Sequence, residues 1–135
     1  MQQTIENQSL TQLFEQQRQN SLVLRQVPLK QRKAHLRKLR HWLLGHRAEL
    51  AVAVKKDLGK SETDAEIAEL FPVLVEIDHV LEHVEAWARP KKVDAPLTYL
   101  GTRSEIRYEP KGVCLIIGPW NFPFMLCIRP LVSCL

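Results

Sequence analysis

A chain of 135 residues holds one small domain and is too short for two ordinary ones. With 45% hydrophobic and 25% charged residues it has the composition of a soluble globular protein, which excludes a disordered polyelectrolyte. A net charge of +4 is mildly basic and does not by itself mark a nucleic-acid binder, because a binding face should show as clustered cations.

Residues 1–27 lack the apolar run of a signal peptide, and no stretch approaches the roughly 18 apolar residues of a membrane helix. No integral membrane segment is expected. Cys114, Cys127 and Cys134 are odd in number and two of them sit in apolar surroundings. Buried free thiols in a reducing compartment, hence a cytoplasmic location, are expected.

Residues 1–7 carry no pattern and are expected to fray. From Ser9 onward, Leu10, Leu13, Phe14 and Leu22 suggest a first helix with a modest apolar face. Gln26-Val27-Pro28 interrupts it, and Pro28 suits the first turn of the next helix. Leu29, Leu36, Leu39, Leu43, Leu50 and Val54 keep one face of that helix apolar. Gly45 marks a bend or a junction between helices, and Gly59 a carboxyl-terminal cap after Leu58.

Ser61-Glu62-Thr63-Asp64 resembles a capping box that opens a third helix. Ile67, Leu70, Phe71, Leu74, Ile77, Leu81, Val84 and Ala88 then form one stripe as far as Arg89-Pro90. Pro72 falls inside this pattern, where it should kink the helix or begin a new one, since it removes a backbone donor. Residues 90–97 read as a linker. Ile106-Arg107-Tyr108 alternates like a strand, Lys111-Gly112 turns, and the apolar run Val113 to Ile117 predicts a strand buried on both faces.

Charge is segregated along the chain. Eight Lys/Arg residues and no acid lie from Arg25 to Arg47, and eight Asp/Glu residues and no Lys/Arg from Glu62 to Glu85. One explanation is an antiparallel pair of helices whose solvated faces attract each other. The other makes 30–47 the basic face of a small helical interaction module that binds an anionic partner such as nucleic acid or a membrane surface. The acidic helix downstream offers an internal partner and favours the first, with no nucleic acid bound.

The stretch GVCLIIGPWNFPF, Gly112 to Phe124, carries the chemistry. In a doubly wound α/β sheet, ligands bind beyond the carboxyl ends of the strands. Asn121 would sit there, after the Gly118-Pro119 break and before Pro123, which opens a helix. A side-chain amide is neutral at any working pH and donates two hydrogens, as a group that stabilises a developing oxyanion must. The plainer alternative is an asparagine that caps the helix or closes a turn.

The run Glu109-Pro110-x-Gly112-Val113-x-Leu115-Ile116-Ile117-Gly118-Pro119-Trp120-Asn121-Phe122-Pro123 resembles the signature of the aldehyde dehydrogenase superfamily, in its class-3-like branch for fatty or aromatic aldehydes. Upstream, ELAVAVKKDLGKSETDAEIAEL is similar to the family's helical segment with an A-x-x-x-D-L-x-K phrase, and the helix ending at Trp87-Ala88-Arg89-Pro90 has its counterpart. The resemblance covers residues 10–133. It implies an α/β enzyme with a Rossmann-like cofactor domain, of which this chain is a mostly helical amino-terminal segment with a strand or hairpin near 98–118. Residues 1–96 would be the helical part of the cofactor-binding domain, 97–111 a strand of the arm used in oligomerisation, and 112–135 the first Rossmann strand and the start of its helix.

The activity implied is NAD- or NADP-dependent oxidation of an aldehyde to a carboxylate through a cysteine thiohemiacetal, in a homodimer. Asn121 matches the family's oxyanion-stabilising asparagine, and Ile117, Pro119 and Trp120 match the segment lining the cofactor. No metal is implied. The family's nucleophilic cysteine, general-base glutamate and glycine-rich turn belong to later segments, so the 135 residues alone are expected to be inactive. Cys134 falls where the family has a small packing residue, and none of the three cysteines is expected to be catalytic.

Overall fold

The computed structural model describes residues 9–99 and 101–135, so the stretch expected to fray at 1–7 lies outside it. Helix α1 (Leu10–Leu24) begins at a capping box: Ser9 Oγ accepts from the Gln12 N–H, and the Gln12 side chain accepts from the Ser9 N–H. None of its residues is buried, and Leu10, Phe14 and Leu22 stay exposed. Helix α2 (Leu29–Gly45) follows directly on Pro28 and gives way at Gly45-His46 to α3 (Arg47–Leu58), so Gly45 is a junction between two helices. Gly59 closes α3 in the left-handed conformation, φ 69°, with its N–H on the Lys55 carbonyl.

Helix α4 (Glu62–Ala65) is capped by Ser61, whose Oγ accepts from the Asp64 N–H at 3.1 Å. It runs through a π-helical turn, Glu66–Leu70, into α5 (Phe71–Trp87). That turn is how the chain accommodates Pro72. In an unbroken α-helix the proline ring would press on the carbonyl four residues back. A wider turn just upstream opens that spacing. It also rotates the buried face relative to the expected stripe: Glu69, Leu70, Val73, Ile77 and Val80 are buried, whereas Ile67 and Phe71 are exposed.

The core forms where α2, α5 and α6 (Pro123–Cys134) meet. Leu36 and Leu43 of α2 pack with Leu70, with Val73, Ile77 and Val80 of α5, and with Val132 of α6. A smaller cluster, Ala51, Val54 and Ala65, joins α3 to α4. The charged segments zip along the outside of this core. Lys33 pairs with Glu85 at 2.7 Å and Arg40 with Asp78 at 2.7 Å, so seven residues up α2 correspond to seven residues down α5. Arg47 continues the series to Glu66 at 2.9 Å. The two halves of opposite charge are therefore antiparallel neighbours.

Three expectations differ from the structure. Part of the 90–97 linker is strand β1 (Lys91–Val93), antiparallel to β2 (Ser104–Ile106) with Lys91 opposite Ile106 and Val93 opposite Ser104. Its Pro-Lys-Lys composition concealed it, because exposed edge strands carry such residues. Residues 113–117, expected as a buried strand, pair with no sheet, and Leu115 is 86% exposed. A parallel strand needs backbone partners beside it, and none of the described residues supplies one. The thiols are free as expected, but Cys114 and Cys134 are exposed rather than buried, as the segment 113–117 finds no sheet to bury it.

The ion-pair ladder is expected to contribute little stability. Asp78→Asn should cost at most about 1 kcal/mol by chemical denaturation, because both partners are part-exposed. The Glu85 carboxyl is held below its ordinary 4.5 by hydrogen bonding and charge from Lys33. Its contribution is therefore present above that value and disappears as pH falls through the lowered one. Submicromolar, strongly salt-dependent binding to DNA or anionic vesicles would show instead that the basic face is free for a partner.

Candidate active site

Asn121 stands at the end of a tight crossing over the first turns of α6. Gly118 passes so close to Cys127 that a Cβ there would collide with the Cys127 Sγ. Any larger residue there would force the Cys127 side chain aside. Pro123 then opens α6, with Phe122 at the N-cap position and no side chain from the loop capping the helix.

The cap comes from elsewhere in the fold. Glu69, 1% exposed, projects from the π turn, and its Oε2 accepts from the Met125 N–H at 3.0 Å. A carboxylate at a helix amino terminus satisfies an orphan donor and complements the helix dipole. The other oxygen, Oε1, accepts from Lys60 Nζ at 2.7 Å. Lys60 Nζ also donates to the Asn121 carbonyl at 2.7 Å and lies 4.0 Å from the centre of the Phe122 ring. One ammonium group thus joins the end of α3, the π turn and the loop before α6.

The Asn121 residue is exposed, and among the described residues its side-chain amide makes no hydrogen bond. A capping or turn-closing asparagine would spend that amide on nearby backbone. This one leaves both amide hydrogens and the carbonyl oxygen available. The other sequence-derived candidates lie beside it and face outward: Ile117 is 82% exposed, Trp120 is 91% exposed, and Pro119 is exposed as well. No acid occurs from Gly112 to Phe124, so nothing on this stretch repels an anionic ligand.

The cysteines are arranged differently. Packing around the Cys134 sulfur, with the Cys114 thiol beside it, pushes the Cys134 thiol above its ordinary value of 9.0. That is the direction opposite to an activated nucleophile. Among the described residues, no group of three or more His, Cys, Asp or Glu side chains could hold a metal ion.

Sequence reasoning missed Lys60 and Glu69 as parts of this site. Lys60 ends the Ala53-x-x-x-Asp57-Leu58-x-Lys60 phrase, and Glu69 is an acid placed between Ala68 and Leu70 in an apolar stripe. An acid inside an apolar stripe is the signal that could have identified the pair. Glu69→Ala should destabilise the chain by about 1–3 kcal/mol, because Met125 loses its acceptor and the part-buried Lys60 its counter-charge. Glu69→Gln should be milder, since the amide oxygen still accepts from Met125. Denaturant midpoints that fall equally for both variants would mean that the charge matters and the helix cap does not.

Comparison with known proteins agrees with this architecture. Residues 3–135 match the family model described as the aldehyde dehydrogenase family. Aldehyde dehydrogenase family 3 member A2 of Macaca fascicularis is 39% identical over 116 residues, covering 86% of this chain and 24% of that protein. The putative aldehyde dehydrogenase AldX of Bacillus subtilis is 33% identical over 123 residues, 91% of this chain and 27% of that one. The structure of the substrate-bound state of Staphylococcus aureus AldH superposes with a TM-score of 0.87 at 30% identity, over 94% of this chain and 28% of that one. The chain therefore spans about a quarter of the length of these relatives. With the fold and the Gly118–Phe124 crossing in place, the match across residues 3–135 shows that this chain belongs to the aldehyde dehydrogenase family.

Proposed function

We propose that a protein containing this chain oxidises an aldehyde to a carboxylate with NAD or NADP, and that Asn121 is its oxyanion donor. One observation carries this reading: Glu69 caps α6, which leaves the Asn121 side chain free while Lys60 holds its backbone. When a cysteine thiolate from another segment attacks the aldehyde, an S–C bond forms and the carbonyl π pair moves to oxygen. Donation from the Asn121 amide stabilises the charge that develops there. Being neutral, the amide competes for no proton.

The dinucleotide, when bound, would accept the hydride. Ile117, Pro119 and Trp120 fit it chemically, because they are an open, apolar and uncharged surface next to Asn121. They would exclude water from one side of the reacting carbon. The free cysteines support a reducing, cytoplasmic setting, and no helix among the described residues is long and apolar enough to cross a membrane. A homodimer built partly through the arm at 97–111 completes the proposal, supported by the surface position of β2.

The 135-residue chain assayed by itself should not reduce NAD or NADP with any aldehyde, since the thiolate and base the reaction needs lie in other segments of the family fold. Turnover above that of a Cys134→Ser control would overturn this. In a complete enzyme made by joining residues 1–132 to the remainder of a full-length relative, Asn121→Ala should lower kcat about 10²–10³-fold and leave dinucleotide affinity nearly unchanged. Asn121→Asp should be worse, because a carboxylate adds repulsion to the lost donor. Activity that falls only in step with melting temperature would make Asn121 a structural residue.

A further inference from the structure

Lys60 makes three contacts that no other side chain of the site combines. It neutralises the buried Glu69, donates to the Asn121 carbonyl and lies against the Phe122 ring. Its own backbone is held just past α3, beside the left-handed cap at Gly59, and its side chain is only 21% exposed. A residue held at both ends transmits a fixed geometry, whereas a lysine on an open surface would swing.

The path to Asn121 is short. The Asn121 carbonyl orients the peptide plane between residues 121 and 122. Two other points restrain the same crossing: the contact of Gly118 with Cys127, and the Met125 N–H on Glu69. With these fixed, the direction in which the Asn121 Cβ leaves the backbone is fixed too. We propose that Lys60 is a positioning residue for the Asn121 amide: its ammonium group, held by Glu69, clamps the Asn121 carbonyl and so aims the side chain at the reacting oxygen. This rests on the reading of Asn121 as an oxyanion donor. Lys60 itself need not touch substrate or cofactor.

The test uses the complete enzyme made by joining residues 1–132 to the remainder of a relative, with kcat, single-turnover rate and KM measured for each variant. Lys60→Met should lower kcat by about 10–10²-fold, the cost of a misplaced catalytic group. KM for the dinucleotide should stay unchanged. Lys60→Arg should recover most of the turnover, because a guanidinium can donate to both Glu69 and the Asn121 carbonyl. In an Asn121→Ala background, Lys60→Met should cost nothing further, as for two residues that act as one unit.

Lys60→Met leaves Glu69 buried without its cation, so a second variant separates aim from stability. The double variant Lys60→Met/Glu69→Gln removes the orphan charge and keeps an acceptor for Met125. It should melt close to the parent and still turn over slowly. Wild-type turnover in that double variant would overturn the proposal, as would a Lys60→Met penalty that persists undiminished in the Asn121→Ala background. Either result, with Asn121→Ala slow, removes Lys60 and leaves the oxyanion reading standing. Wild-type turnover of Asn121→Ala itself removes both.

Discussion

A carboxylate taken out of water has to be met by donors on each oxygen, and the packing of α6 against the helical body depends on how this is done for Glu69. One oxygen receives the Lys60 ammonium and the other the Met125 N–H. Among the described residues no buried side-chain nitrogen or oxygen lacks a partner. The arrangement is a buried ion pair, which carries a heavy desolvation cost and is weak evidence for stability as such. Its consequence here is geometric. It sets where α6 begins, and with it the loop that presents Asn121.

Glu69 reaches that position because of a conflict three residues downstream. Pro72 cannot donate to the helical ladder, and the chain answers with a π turn at Glu66–Leu70. The wider turn rotates the helix face, turning Ile67 and Phe71 outward and Glu69 inward. Turns of this kind are frequent at functional sites. The apolar packing of α2, α5 and α6 then locks the rotation, since Val73 and Ile77 are fully buried just beyond it. Outside the core, Lys33–Glu85 and Arg40–Asp78 line α2 up against α5, and Arg47–Glu66 ties the start of α3 to the π turn. Exposed pairs of this kind add specificity more than stability.

The side of the molecule around residues 113–120 has a different character. Leu115, Ile117 and Trp120 are exposed, and the segment makes no sheet pairing. In a family whose members are about four times as long, judged from the quarter of their length that this chain spans, such a segment has the composition of a strand flanked by others. Buried parallel strands are apolar on both faces; here Val113 and Ile116 lie half-buried towards α1 and α6, while Leu115 and Ile117 are left open. The Asn121 crossing, by contrast, is held at its backbone by Lys60 and Glu69 from within the chain.

Much of this was legible in the residues themselves, because the relevant physics is local. Ser61 and Gly59 announced helix ends through side-chain capping and a left-handed backbone, and both act as expected. The Gly45 junction and the complementary charged halves were equally visible, since heptad-like spacing and charge are properties of sequence. The Gly118-Pro119-Trp120-Asn121 run identified the family before any coordinates. Other features depended on partners distant in the chain. Strand β1 exists only because residues 104–106 return to pair with it, and the phase of α5 follows a turn whose energy depends on what it packs against. Above all, nothing local says that Lys60 meets Asn121 across 61 positions, or that Glu69 meets Met125 across 56. The sequence by itself determined which helices form, where they end and which amide follows the Gly118-Pro119 break. Only the tertiary structure decided which buried charge holds that amide's backbone, because such a contact is set by packing between elements and not by the preferences of any one of them.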